Sequence, residues 1–334
     1  VKMHLFFSVL LVLGFPFIMT EVVDPFSKCS EFFFKGEPPT IKGILEKSAS
    51  QNNRYKLVCQ RYKNKYRFAT LYDRTGRIPV FSAYTYTKRQ EDFKRPKIPW
   101  MIEPQVMFLI VSSTSDNSEM RDPCVNQACT EDYWNKQDLN RGHLFPQLHA
   151  ADKDTAISTF TLTNIVPQKI SFNDGSWNLM EKKVKNVIDS HCRDEKDSNK
   201  ILAYVLTGAV PSQNELLNEK VNIPSHMWTV FCCYNSKSKK WESQAHWAKN
   251  IDESKDEHKT ISEQSLENVQ EFLKGEYKGE YTLFQGDCSI LLNGCVILTK
   301  KLHLDIFWDF SDNDILLSVF CDGTRAGLGL SLNK

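Results

Sequence analysis

The sequence predicts an α+β domain: a central antiparallel sheet flanked by helices. Three observations predict it. Three strand-like segments follow one another closely in the amino-terminal half, an amphipathic helix lies near the middle, and two further apolar strands come after it. The 334 residues are 41% hydrophobic and 25% charged, which is ordinary globular composition with ample length for a core and excludes a disordered chain or a coiled coil.

The elements follow in order. Lys2, Met3 and His4 precede an apolar run from Leu5 to Met19 that only Ser8, Gly14 and Pro16 interrupt. Residues 1–20 therefore read as a secretory signal peptide, the run being short for a span and carrying a proline. No later stretch reaches membrane length, so no stable membrane insertion is expected. Residues 21–49 form a lead-in, aromatic from Phe26 to Phe34 and broken at Pro38-Pro39. The segments Tyr55–Tyr62, Tyr66–Tyr72 and Val80–Thr87 are rich in β-branched and aromatic residues and read as strands. Asp73-Arg74-Thr75-Gly76-Arg77 joins the last two with hairpin chemistry, so a meander is the simplest arrangement.

The prolines of Lys94-Arg95-Pro96-Lys97-Ile98-Pro99-Trp100 forbid a regular helix or a central strand, leaving a basic loop. Residues 112–139 are polar and irregular. Within them Cys124 and Cys129 are expected to close a small disulfide loop rather than bind zinc, since no second pair of matching spacing accompanies them. Ala151, Ala156, Ile157 and Phe160 mark the apolar side of residues 150–163. Trp177–Cys192 is an amphipathic helix with Leu179, Val184, Val187 and Ile188 inward and Lys182, Lys183 and Lys185 outward. Ile201–Gly208 and Met227–Tyr234 complete the sheet. Residues 50–250 form the main domain. Residues 251–334 make an acidic linker with a peripheral helix and a disulfide-tethered extension carrying Cys288, Cys295 and Cys321. Ten cysteines suit an oxidising compartment, several disulfides are expected, and their connectivity stays open.

Net charge is +1 but unevenly spread. From Arg54 to Lys97 thirteen Lys/Arg face three acids, whereas from Asp252 to Lys334 eight face fifteen. The first segment is either a phosphate-binding surface or a set of solvated strand faces guarded by lysines.

Chemistry concentrates between residues 140 and 181. Asn140-Arg141-Gly142-His143 precedes Leu144-Phe145-Pro146; Asn164-Ile165-Val166-Pro167-Gln168 follows; then come Asn173, Trp177 and Glu181 at i, i+4 and i+8, one face of a helix. This order resembles the DNA/RNA non-specific endonuclease family, the ββα-metal or His-Me finger enzymes. The signal peptide, the cysteines and Pro99-Trp100-x-x-Glu103-Pro104-Gln105 look most like its secreted members. The resemblance spans about residues 50–250 and includes Leu206-Thr207-Gly208 and Ile223-Pro224-Ser225-His226-Met227-Trp228.

The resemblance implies a secreted, Mg²⁺-dependent nuclease, with Mn²⁺ as a substitute, that acts on DNA and RNA through the phosphate backbone. His143 would be the general base. Asn173 would ligate the metal and Glu181 would orient its water shell. Arg141 and a loop cation, best matched by Arg95 with Lys94 and Lys97 as competitors, would hold the scissile phosphate. Asn164 and Gln168 would fix the loop around His143, and Trp177 would pack the metal helix on the sheet. Asn140 departs from the pattern, since most of the family has aspartate there. Two readings therefore stand: a working endonuclease, and an impaired nuclease fold that binds nucleic acid without turnover.

Overall fold

Successive strand side chains point to opposite faces of a sheet, and the central strands are buried along nearly their whole length, so both faces are covered. The computed structural model describes residues 21–107, 124–134, 138–254, 260–286, 288, 290–291, 316–321 and 324–329, with only the backbone described at 107, 290–291, 316–321 and 324–329. The expected signal peptide, much of the polar stretch 112–139 and most of the chain beyond 291 lie outside these residues.

In chain order the principal strands are β1 (Glu21–Val23), β2 (Tyr55–Tyr62), β3 (Lys65–Asp73), β4 (Ile78–Tyr86), β5 (Leu139–His143), β6 (Ile165–Lys169), β7 (Ala203–Val210), β8 (His226–Asn235), β9 (Lys240–Lys249) and β10 (Ile290–Leu291). The principal helices are α1 (Lys153–Ser158), α2 (Asn178–His191) and α3 (Leu266–Tyr277). The central sheet runs β1-β2-β3-β4-β7-β8-β9-β10, with Cys192–Arg193 paired to β8 off this path. Its pairs are antiparallel except β9–β10. The fold is thus α+β, with an antiparallel sheet as its centre.

Strand alternation divides the core into two clusters. Tyr84, Val205 and Phe231 belong to one, with Trp177, Met180, Val184 and Ile188. Ala83, Leu206 and Val230 belong to the other, with Phe26, Phe33, Phe34 and the α3 residues Leu266, Val269 and Leu273. The acidic stretch after residue 250 therefore contains the expected helix, but its i, i+3, i+7 stripe is buried against the sheet. Ser265 caps it, accepting the Asn268 N–H.

The adjacent Cys232 and Cys233 point to opposite faces and cannot pair with each other. Cys233 bonds Cys192 at the end of α2, and Cys232 bonds Cys288; Cys29–Cys59 and the expected Cys124–Cys129 complete the disulfides among the described residues. Each of the first two staples one covering layer to the sheet.

Two local expectations need correction. Leu179 is exposed, because the buried stripe of α2 runs through Met180, Val184 and Ile188 and leaves Leu179 toward the lysine face. Strand β9 went unforeseen because its buried positions include Glu242, Ser243, Gln244 and His246. Such polar residues are buried only where folded neighbours supply hydrogen bonds, as the Ser262 carbonyl does for His246 Nδ1 at 3.0 Å.

Glu103, in the segment after the basic loop, is wholly buried and accepts the Thr161 hydroxyl at 2.6 Å. Its other oxygen has no partner, and burial pushes the carboxyl up to about 8, against smaller lowering effects of Thr161 and Gln60. The folded chain then keeps a proton that the unfolded chain releases near 4.5, so stability is lost as pH rises through that window toward 8. Glu103→Gln is expected to raise the melting temperature at pH 8, by the equivalent of about 2–4 kcal/mol, with the advantage shrinking toward pH 4.5. Thermal melts of both proteins across pH check this; an advantage that does not vary with pH would refute it.

Candidate active site

The site is assembled on a ββα unit lying over the first core cluster. β5 and β6 form its hairpin, in register from Leu139↔Lys169 to His143↔Ile165, and α2 follows. Gly142 is required here: the Gln168 side chain lies across it, in space that any Cβ would invade. Gln168 is itself fully buried.

The loop after His143 is tied down by Asn164. Its Oδ1 accepts the Phe145 N–H at 3.0 Å and the Ser82 hydroxyl at 2.8 Å, while its Nδ2 donates to the Phe145 and Thr159 carbonyls at 3.1 and 3.0 Å. A buried amide with both ends satisfied is rigid and specific to one geometry. Phe145 stacks on Tyr84, with ring centroids 3.9 Å apart, which gives its apolar side chain a core role.

Asn173 does not open a regular helix. Asn173–Trp177 is a π-type turn in which Gly175 leaves helical geometry, and α2 begins only at Asn178. The turn sets Asn173 outside the regular helical spacing that Trp177 and Glu181 keep. Asn173 and Glu181 look into a cleft, whereas Trp177 is turned into the core, its ring 5.6 Å from that of Phe172. The Asn173 side chain forms no cap and has no hydrogen-bond partner among the described residues.

That cleft, of about 240 Å³, brings together Arg95, Arg141, His143, Asn173 and Glu181. It also takes in Gln147, Asp174, Asn178 and Lys182, which sequence reasoning did not single out. Lys97 and Asn140 do not line it. Alternation along β5 puts Asn140 on the face opposite Arg141 and His143, beside Gln168.

Aromatic rings surround the imidazole. Trp100 and Phe160 each lie 5.1 Å from His143, centroid to centroid, and from each other. Backbone bonds from Met101 N–H to the Phe160 carbonyl, and from Leu162 N–H back to Met101, hold the basic loop in that position. No sequence spacing could have joined Trp100 to Phe160 and His143. His143 Nε2 is shut from solvent and has no partner, which leaves Nδ1 as the nitrogen the cleft can reach. Burial first, then the Arg95 charge, push the imidazole down to about 3, well below the 6.5 of a free ring. It is therefore neutral at physiological pH.

Arg141 is half-buried. Its guanidinium lies 5.0 Å from the Tyr133 ring and 5.7 Å from Trp100 and donates to the Thr130 carbonyl at 3.0 Å. These contacts orient a cation whose Nε has no protein partner. Arg95 is exposed over Phe160 at 5.4 Å. Glu181 is pushed up to about 8 by burial, against opposing effects of Trp177, Lys182 and Arg95. The Trp177 indole N–H favours the carboxylate.

His149, which no sequence motif singles out, anchors this helix. Its Nε2–H donates to the Glu181 carbonyl at 3.0 Å, so its Nδ1 must accept the Tyr84 hydroxyl at 2.8 Å. The start of α2 is thereby bolted to the sheet through Tyr84.

A sequence model of the family described as DNA/RNA non-specific endonuclease matches residues 47–284. The chain is 31% identical over 215 residues to the endonuclease domain-containing 1 protein of Mus musculus, and 29% over 214 residues to that of Homo sapiens. Each match covers 62% of this chain and 39% of the relative's length. The crystal structure of the EndoG/EndoGI complex aligns with a TM-score of 0.46 at 17% identity, over 65% of this chain and 83% of that one.

Proposed function

Because the chain belongs to the DNA/RNA non-specific endonuclease family, we propose that it hydrolyses phosphodiester bonds of DNA and RNA in this cleft with the help of a divalent cation, Mg²⁺ or in its place Mn²⁺. The observation that carries the reading is the meeting of His143, Asn173, Glu181, Arg95 and Arg141, drawn from four separate segments, on one small polar cleft.

The donor set suits a hard cation. An amide oxygen without a protein partner and the Glu181 carboxyl, which a bound cation would hold in its ionised form, face the same space, and Mg²⁺ prefers such oxygen ligands while keeping several waters. Asn173 would hold the ion and Glu181 its water shell. When bound, the ion supplies positive charge to the phosphoryl centre and the leaving 3′-oxygen.

The chain's own groups do the remaining work. Arg141 and Arg95 grip the scissile phosphate by charge-assisted hydrogen bonds, Arg141 being pre-oriented by its aromatic neighbours. Nδ1 of neutral His143 takes a proton from the attacking water. At a pKa of about 3 the free imidazole is a weak base. A bound phosphate, offsetting the Arg95 charge and adding its own, raises that basicity when substrate is present. Asn164 and the Trp100–Phe160 pair keep the ring in place.

Recognition of the backbone rather than base edges makes the activity indifferent to sequence and sensitive to salt. Secretion is part of the proposal, supported by the apolar leader at 1–20 and by the four disulfides among the described residues. Among the described residues no helix is long and apolar enough to cross a membrane.

The test is cleavage of plasmid DNA and of single-stranded RNA by the oxidised protein with Mg²⁺. Cleavage is expected on both, abolished by chelator, restored by Mg²⁺ or Mn²⁺, and reduced about tenfold or more between roughly 50 and 200 mM salt. A folded protein that binds DNA without cutting it would transfer the assignment to the binding-only reading. Asn140, placed away from the cleft, lends that reading no geometric support.

A further inference from the structure

The turn that carries Asn173 is held by a segment from outside the finger. A π-type turn is wider than an α-turn and lacks its regular hydrogen-bond ladder, so its geometry needs outside support. Here the support comes from the strap after β9. Glu253 Oε2 accepts the Ser176 N–H at 3.0 Å, and Glu253 Oε1 accepts the Ser176 hydroxyl. In return the Glu253 N–H donates to Ser171 Oγ at 2.9 Å, and that hydroxyl donates to Asp252 at 3.2 Å.

The strap is itself anchored. Asn250 Nδ2 donates to the Pro167 and Pro224 carbonyls at 3.1 and 3.0 Å, and Asn250 Oδ1 accepts the Lys169 N–H at 2.9 Å. Lys169 Nζ adds an ion pair to Asp252 at 3.2 Å. One short segment thus fastens both the end of β6 and the turn that follows it. Gly175 completes the fit: a Cβ there would stand 2.5 Å from Glu253 Oε2, so the carboxylate occupies space that only glycine leaves open.

We propose that Glu253 is a positioning residue for the metal-binding turn, its carboxylate fixing Ser176 and through it the orientation of Asn173 toward the cleft. The proposal rests on the reading of Asn173 as metal ligand given above. Glu253 is not among the residues lining the cleft, so its effect reaches the metal only through the turn. Glutamate suits the role because its two side-chain oxygens take one donor each, whereas the glutamine side chain has one oxygen.

Direct metal titration tests this independently of turnover. Mn²⁺ binding, read by electron paramagnetic resonance, is compared in the parent, Glu253→Ala, Glu253→Gln, Ser176→Ala and Asn173→Ala, each checked for a cooperative melt. Glu253→Ala is expected to weaken Mn²⁺ affinity about tenfold or more, with Ser176→Ala and Glu253→Gln falling between it and the parent. Raising the metal concentration should restore hydrolysis by these three variants, and KM for DNA at saturating metal should stay at the parent value. Parental affinity in folded Glu253→Ala, or in Ser176→Ala should Glu253→Ala fail to fold, overturns the proposal. Parental affinity in Asn173→Ala strikes instead at the ligand reading, a different and recognisable pattern.

Discussion

His143→Ala is expected to lower phosphodiester hydrolysis by about a hundred- to ten-thousand-fold, the range over which positioned general bases contribute. The loss should fall on kcat. Arg95 and Arg141, which would hold the phosphate, reach the cleft from the basic loop and from the next position on the same face of β5, and both remain. Single-turnover cleavage beside equilibrium binding of a short duplex separates the two quantities. The ring lies among Trp100 and Phe160, so its removal also leaves a gap, and a modest fall in melting temperature should accompany the lost activity. A variant that melts cooperatively, binds DNA and cleaves at the parental rate would remove His143 from the mechanism.

Asn173→Ala carries the second large effect. Residues that merely support a metal ligand are commonly worth ten- to a hundredfold in affinity or rate, and deleting a protein ligand should cost about a hundredfold or more. Because Asn173 makes no cap and no hydrogen bond among the described residues, this substitution removes little that stabilises the fold. Its effect on metal binding should therefore be cleanly readable. Asn140→Asp is the matched contrast. Asn140 lies across the strand from the cleft, partly buried beside Gln168, and the expected change in rate is within about threefold at saturating metal, since its side chain does not line the cleft. A large gain from Asn140→Asp, measured on plasmid DNA, would show that the parent is impaired and that Asn140 reaches the metal's surroundings after all.

Much of the scaffold was legible. The three early strands were found nearly to the residue, because β-branched and aromatic residues cluster there and Asp73–Arg77 is an unambiguous turn. Helix α2 was found because its period is strong, although Leu179 was assigned to the wrong side. Strand β9 was not found, since a strand whose buried face carries Glu242, Gln244 and His246 has no apolar signature. Arg95, Arg141, His143, Asn173 and Glu181, which a resemblance to a known family singled out, line one cleft, whereas Lys97 and Asn140 do not.

The sequence by itself determined the identities and order of the groups available to the cleft, because residue type and spacing are local properties and local order survives in the chain. It also determined that cysteines would be paired, and Cys124 with Cys129, but not the remaining connectivity: Cys232 and Cys233 find separate partners only because neighbouring strand residues face opposite ways. Tertiary structure alone decided the rest. It placed Trp100 and Phe160 beside His143, drove that imidazole down to about 3 and Glu181 up to about 8, widened the turn at Gly175, and brought Glu253 to brace it from the far end of the sheet. Desolvation and packing depend on what surrounds a group in space, and those surroundings come from residues up to dozens of positions away, which no local pattern records.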